Sequence, residues 1–537
     1  MRVFTLAVIL FMGFTSNFNA KAQAPFSYEL SIHPIQILGL PGLHSFAFGQ
    51  SGGKCLLIGG RRDGLHARQP NSSFPANQNN TSLYVIDFQT SQFWSAPLSS
   101  LPTSIAEQLQ STNMNFFQDK DTLYIIGGYA FSATANDHIT FDKLTSVQVS
   151  SVINAIINNQ SFSSFFKQVA DPIFANSGGQ LGKLGNTFYL VGGQRFDGRY
   201  NPMNNPTYTQ TYYSQYTKLL LSNSVATPNF TIVQTITDPV HLRRRDYNLL
   251  PQIFPDGSEG YMISSGVFQI NADLPFLYPV DISPTGYIPR TNFNQYLSNY
   301  HGAKVALWDS TFKSMHNLFF GGMSQHYYQN GTQVQDNSVP FVKTISRVTR
   351  NQDSSLQEFK LNTEMPGYLG AGAEFIPNQA LPHTENEIIK LHQIQVDSFT
   401  LGYVVGGIIS PTTNPFTGNQ SNTTSANTVV YEVRLQKAKT NSVNELIDGK
   451  NPYSIFVYPN PAEHECSVTI ESPRDARCDY FLVNMEGKIL SVKNAIQLNQ
   501  GKNNIELELP TGVRNQQISL SIVIDGIYFI TEKITIK

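Results

Sequence analysis

A short word recurs along this chain: an apolar run that closes on two glycines. It stands at 56–60 (LLIGG), 123–128 (LYIIGG), 188–193 (FYLVGG), 318–322 (LFFGG) and 403–407 (YVVGG). A degenerate copy lies at 261–266, where Ser265 replaces the first glycine. Successive copies are 68, 65, about 74, 55 and 85 residues apart. Self-similarity at such spacing means one supersecondary unit built several times. The apolar run suits a buried strand. Paired glycines suit a place where backbones converge and a side chain would collide or demand a positive φ.

Each unit reads as four strands. A first strand precedes the doublet, over 44–48, 113–117, 179–184, 247–254, 303–308 and 371–376, and the second strand carries the apolar run. A third follows a polar loop, as at 82–87 and 428–433, and a fourth closes the unit, as at 91–94 and 230–233. Six units fit between Pro25 and Leu435. The last one has no fourth strand, because after Val433 the chain enters the polar stretch Lys437-Ala438-Lys439-Thr440-Asn441. The segment 28–33 (YELSIH) offers the missing strand. Pairing of the N-terminus with the last unit is therefore expected to close a ring and remove exposed sheet edges.

The repeated run with its glycines resembles the Kelch-type β-propeller family, whose units run about 50 residues with the extra length in loops. The family's later Tyr and Trp are matched in unit one, at Tyr84 and Trp94. The resemblance implies an all-β chain, a six-bladed Kelch-like β-propeller. From Asn451 onward, alternating apolar residues and turns such as Glu486-Gly487 add a small antiparallel β-sandwich.

That last segment is similar to the type A C-terminal sorting domain of the type IX (Por) secretion system. The matching residues are Tyr458, Pro459, Asn460 and Pro461 at its start, Gly487 and Lys488 at its middle turn, and Gly526 and Tyr528 before a strand carrying Lys533 and Lys537. The resemblance implies delivery across the outer membrane by the type IX machinery as partner, with the protein released or held at the cell surface. The other end agrees. Arg2, the apolar run 3–14 and small residues at Ala20, Ala22 and Ala24 read as a signal peptide, too short to span a bilayer. The expected organisation is signal peptide 1–24, propeller 25–436, linker 437–450 and sorting domain 451–537, in a protein secreted or displayed on the outer membrane via the periplasm.

Charge is balanced, 36 basic against 38 acidic residues, which argues against a nucleic-acid surface. No further stretch is apolar enough for a transmembrane segment, and a monomer is expected. Three cysteines make no disulfide scaffold. Cys466 and Cys478 flank an expected hairpin and are placed to pair in an oxidising compartment, while Cys55 reads as a buried thiol.

No phosphate loop, metal helix, nucleophile elbow or Cys-x-x-Cys pair is present, so no catalytic residue, metal site or cofactor is expected. In Kelch-like propellers the loops entering first strands and those leaving the doublets share one face around the channel mouth. Candidates there are His44, Asn113, Arg245, Asp246, Tyr247 and His301 from the first set, and Arg61, Arg62 and Arg195 from the second. Guanidinium groups converging on a pocket would clamp a carboxylate. Against this, Arg243, Arg244 and Arg245 also read as a solvated run, and His44 and His301 as structural. The leading expectation is a binding protein whose mouth recognises a glycan or protein ligand. The alternative is a carbohydrate-active enzyme of the sialic-acid mutarotase, oxidase or hydrolase type, in which Arg61, Arg195 and Arg245 would work with Asp246 or Glu374.

Overall fold

The apolar runs are the second strands of six antiparallel sheets in the computed structural model. It describes residues 26–69, 72–202, 207–223, 227–416, 421–438, 445–447, 449–463, 465–509 and 513–537. The expected signal peptide lies outside the described residues. Blade 1 is Ala47–Ser51, Lys54–Ile58, Ser82–Asp87 and Gln92–Pro97; blade 2 is Asn115–Asp119, Thr122–Ile126, Lys143–Gln148 and Phe166–Ala170. Blade 3 is Gln180–Leu184, Thr187–Val191, Gln215–Asn223 and Pro228–Thr237; blade 4 is Asn248–Ile253, Glu259–Ser264, Val280–Ser283 and Gly286–Pro289. Blade 5 is built on Lys304–Asp309, Ser314–Phe320, Thr344–Arg350 and Leu356–Glu364; blade 6 on Tyr368–Pro377, Ser398–Ser410, Val430–Lys437 and Tyr28–Ile35. The N-terminal strand closes blade 6 as expected, pairing from Tyr28 opposite Lys437 to Ile35 opposite Val430.

The core lies between blades. Leu56, Ile58, Leu83 and Val85 of blade 1 pack with Leu123, Ile125 and Val147 of blade 2, all fully buried. Each such side chain contributes about 1.5–3 kcal/mol by leaving water. The first strands of blades 1 and 2 begin later than expected, at Ala47 and Asn115 rather than His44 and Asn113. Ser45 and Asn113 hold φ of 56° and 54°, a left-handed turn that breaks the extended backbone just before each strand.

The glycine doublets stitch neighbouring blades together. The second glycine of each copy (Gly60, Gly128, Gly193, Gly266, Gly322, Gly407) donates its N–H to the next blade. The acceptors are the carbonyls of Ser111, Asn176, Arg244, Asn299, Leu369 and Leu43, at 2.8–3.1 Å. The circuit returns to blade 1. The first glycine is pressed against the same neighbour: a Cβ on Gly127 would sit 1.8 Å from the Asn176 carbonyl oxygen. Ser265, in the degenerate copy, keeps the conformation (φ 57°) and donates its hydroxyl to the Phe276 carbonyl at 2.6 Å.

Among the short strands that the sequence did not mark, two extend blade 5. Glu445–Ile447, within the expected linker, adds a strand to the outer edge of blade 5. Ile389–Lys390, from a long loop of blade 6, pairs in parallel with Leu307–Trp308 on the axial side of blade 5.

The C-terminal sandwich packs a three-stranded sheet (Ser454–Tyr458, Cys466–Ser472, Gly501–Leu507) on a four-stranded one (Ile489–Leu498, Ala476–Asn484, Gln516–Ile524, Tyr528–Ile536). Ile518, Leu520, Ile522 and Ile524 fill the space between the sheets. The intervening positions face the propeller: Phe481, Val483, Val523 and Phe529 share one buried cluster with Phe276 and Tyr278 of blade 4. Cys466 and Cys478, whose pairing the sequence left open, are not joined. They lie on different sheets, and both are free, as is the buried Cys55. Burial raises all three thiols above their usual range, so they pack as small apolar side chains. Among the described residues no helix is long and apolar enough to cross a membrane.

Candidate functional site

Six residues, five at the entrances to first strands and Gly372 within the first strand of blade 6, form a hydrogen-bonded belt around the axis. Ser45 donates its N–H to Gly372, Asn113 to Ser45, Gly178 to Asn113, Asp246 to Gly178, His301 to Asp246 and Gly372 to His301, at 2.7–3.1 Å. A positive φ at Ser45, Asn113, Gly178, Asp246 and Gly372 turns each N–H toward its neighbour's carbonyl. Short polar residues and glycine tolerate that conformation best, so this position is held by Ser, Asn, Gly and Asp.

Entry segments and post-doublet segments do lie side by side. His44 is bridged to Arg61, Thr112 to Tyr129, Ser177 to Gln194 and Arg245 to Val267. Their side chains do not converge as the clamp required. Arg61 is buried, with both guanidinium edges engaged: Nε and Nη2 meet the Asp63 carboxylate at 2.8 and 2.6 Å, and Nη1 donates to Asn79 Oδ1 at 2.9 Å. Burial alone would raise Asp63, but His44 and Arg61 beside it hold the carboxyl down to about 2. His44 is buried too, its Nε2 3.7 Å from Asp63, and burial pulls it below the usual histidine range. Arg62 is exposed.

Arg195 is a correction. It sits on the hairpin Gln194–Asp197/Thr209–Tyr212, exposed and paired with Asp197 at 2.7 Å, so strand alternation turns it away from the axis. Tyr247 is another. It is fully buried, donating its hydroxyl to the Val191 carbonyl at 2.6 Å and accepting from the Gln180 N–H at 2.9 Å. The reading of residues 243–245 as a solvated run fails as well. Arg244 is fully buried between the rings of Phe276 and Tyr278, donating to the carbonyls of His241, Ser265 and Tyr278. Arg243 lies over the Tyr212 ring at 3.7 Å, and Arg245 over Phe268 at 5.1 Å while pairing with Asp246. Arg243 and Arg245 with Tyr212 and Phe268 are what remains of the expected arginine mouth.

The connections from second to third strands rise over this face and lock together. Tyr129 donates to the Gly198 carbonyl at 2.8 Å, and the Leu65 N–H donates to Thr424 Oγ1 at 2.7 Å. His66 stacks on Phe74 at 5.0 Å and meets the edge of Tyr200 at 4.9 Å. Loops of blades 1, 2, 3 and 6 thus form an aromatic rim.

Beneath the belt an axial cavity of about 170 Å³ runs between the first strands. Asn113, Asp246 and His301 line one end; Pro251, Pro377 and Glu387 line the other. Within it Glu374, 5% exposed, stands between His301 Nε2 at 3.0 Å and Lys304 Nζ at 3.9 Å. Glu374 Oε1 nevertheless has no hydrogen bond of good geometry. Burial would raise this carboxyl, but His301 and Lys304 outweigh it and hold the group low; burial lowers Lys304 against the pull of Glu374. Glu387 arrives on the blade 6 loop, where burial raises its carboxyl. Neither Lys304 nor Glu387 was legible as a site residue, since one lies within a strand and the other in a loop of unknown path. Among the described residues no group of three or more His, Cys, Asp or Glu could hold a metal ion.

In the sandwich, Asn460 ties the start of the domain to its last strand, donating to the Lys533 carbonyl at 2.7 Å and accepting from the Thr535 N–H at 3.0 Å. Tyr458, Pro461, Lys533 and Lys537 are exposed. Gly487 and Gly526 hold positive φ at turns that face the propeller, where a Cβ on Gly487 would lie 2.3 Å from the Thr237 carbonyl oxygen.

No family model and no curated protein matches the sequence. The solved structure of YjhT aligns at 11% identity and a TM-score of 0.41, covering 74% of this chain and 99% of that one.

Proposed function

We propose that this is an exported binding protein, secreted or held at the outer-membrane surface. In this reading its propeller mouth takes a glycan or protein ligand, and residues 451–537 direct type IX secretion. What supports recognition over catalysis at the mouth is the state of its arginines. Arg61 is spent on Asp63 and Arg195 faces solvent, whereas Arg243 and Arg245 lie against aromatic rings beside the rim. Such a surface offers stacking faces and planar donors on a rigid scaffold, which suits sugar or peptide recognition. The sorting reading rests on the motif residues and on the exposed Phe456 and Tyr458 of an edge strand, open to the export machinery.

A second reading, a carbohydrate-active enzyme, draws on Glu374. A buried carboxylate paired with a histidine and facing a lysine in a cavity has the make-up of an acid–base group. The full-length protein on a glycan array, with mutarotase and hydrolase assays alongside, separates the two. Binding without turnover, weakened about tenfold by Arg245→Ala, is the expected result. Turnover abolished by Glu374→Gln would replace the first reading with the second.

Export has its own test. A periplasmic reporter carrying residues 449–537 at its C-terminus should reach the cell surface in a host with the type IX machinery. Retention of that fusion in the periplasm would end the sorting assignment.

A further inference from the structure

The sandwich is seated behind the two segments that build the mouth. The first is 241–245. His241, two residues before Arg243, is buried with Nδ1 2.7 Å from the Tyr278 hydroxyl, while Nε2 lies 3.0 Å from Thr531 Oγ1 and 3.3 Å from Ser521 Oγ of the sandwich. The second is 267–278, which links the second and third strands of blade 4. At its start, Val267 exchanges backbone hydrogen bonds with Arg245, and the carbonyls of Phe268 and Gln269 accept from Arg243 Nη1 at 2.5 and 3.2 Å.

The same segment is then gripped from the other side. The Gln269 amide donates to the Gly526 carbonyl and, at 2.9 Å, to the Pro275 carbonyl. Asn271 Nδ2 donates to Asp479 and Asn494 at 3.0 Å each. The rings of Phe276 and Tyr278 meet Phe529 at 5.7 and 4.6 Å. Segment 267–278 is mostly irregular backbone, so its shape depends on what packs against it. One of its faces carries the arginine contacts and the other the sandwich contacts.

We infer that the C-terminal sandwich braces the mouth, with His241, Gln269 and Phe529 as positioning residues for Arg243 and Arg245. This deepens the reading of the mouth as a recognition face and rests on it for its consequence, though not for its test. When the sandwich is docked, segment 267–278 is fixed and the arginines are stacked for a ligand. When it is undocked or removed, the segment loosens and the mouth loses its arginine geometry.

Amide hydrogen exchange on the full-length chain tests the coupling without a ligand. In Phe529→Ala, amides of 267–278 and 241–245 should exchange at least tenfold faster than in the wild type, while the inner strands of blades 1 and 2 keep their rates. The double variant Gln269→Ala/Asn271→Ala should show the same local change with the sandwich still folded, as reported by protection of Cys466–Ser472. Should Phe529→Ala unfold the sandwich outright, the brace predicts the same loss at 267–278. Unchanged protection of 267–278 in these variants, sandwich folded or not, overturns the inference. Faster exchange in a protein that binds nothing on the array would leave the brace standing and remove the reading of the mouth as a glycan site.

Discussion

Removing residues 26–35 should cost this protein its cooperative monomeric fold. The segment supplies the fourth strand of blade 6, eight residues paired in unbroken register with Val430–Lys437. It also carries Phe26 and Leu30 into the cluster that joins blades 5 and 6. Losing those two side chains forfeits about 3–6 kcal/mol. Phe26 further covers the guanidinium of Arg347 at 4.7 Å, a buried cation with no carboxylate partner among the described residues. Without the strand, Val430–Lys437 becomes an open edge, a template for association with other chains. Size-exclusion chromatography and thermal unfolding of the shortened chain should show oligomers and a lost or strongly lowered transition. A monomer with an unchanged midpoint would mean that the ring does not depend on its N-terminal closure.

The second large effect belongs to the doublets. Gly127→Ala places a methyl group on a residue with φ 68°, in line with the Asn176 carbonyl of the next blade. The left-handed conformation and the collision together cost about 3 kcal/mol or more. Gly257→Ala is the control, since φ there is 86° but nothing lies within 4 Å of the added carbon. Only the backbone term remains, about 1 kcal/mol. Denaturation of the two variants side by side isolates the contact between blades. Equal losses would mean that the doublets serve turn geometry alone.

The ring could be read from the sequence because its demands are local and repeated. A buried second strand needs four apolar residues, and a close approach of two blades needs glycine, so each unit spells the same word. The missing fourth strand after Leu435 and the spare one at Tyr28 could be matched for the same reason: strands leave a period-two trace. Two- and three-residue strands such as Ile389–Lys390 and Glu445–Ile447 are too short to leave one.

The site was harder to read, because chain position does not say where a long side chain points. Arg195 and Arg245 both border the mouth, yet alternation turns one outward while Tyr212 and Phe268 hold the other. Arg244 is buried by two aromatic rings that lie over thirty positions along the chain, invisible to local pattern. The docking face of the sandwich did leave a signal. Tyr480-Phe481-Leu482-Val483 is apolar on both faces of its strand, as a sheet covered on both sides requires.

Six circularly arranged blades, locked at the mouth, are the claim on which recognition, brace and closure all depend. Amide exchange at Ser45, Asn113, Gly178, Asp246, His301 and Gly372 in the intact protein addresses it directly, since each N–H bonds only to the preceding blade. The account predicts that all six exchange as slowly as the neighbouring inner strands, although five of them, all but Gly372, lie in connecting segments. Exchange at the rate of free loops, at any adjacent pair of these positions, would show the circle to be open.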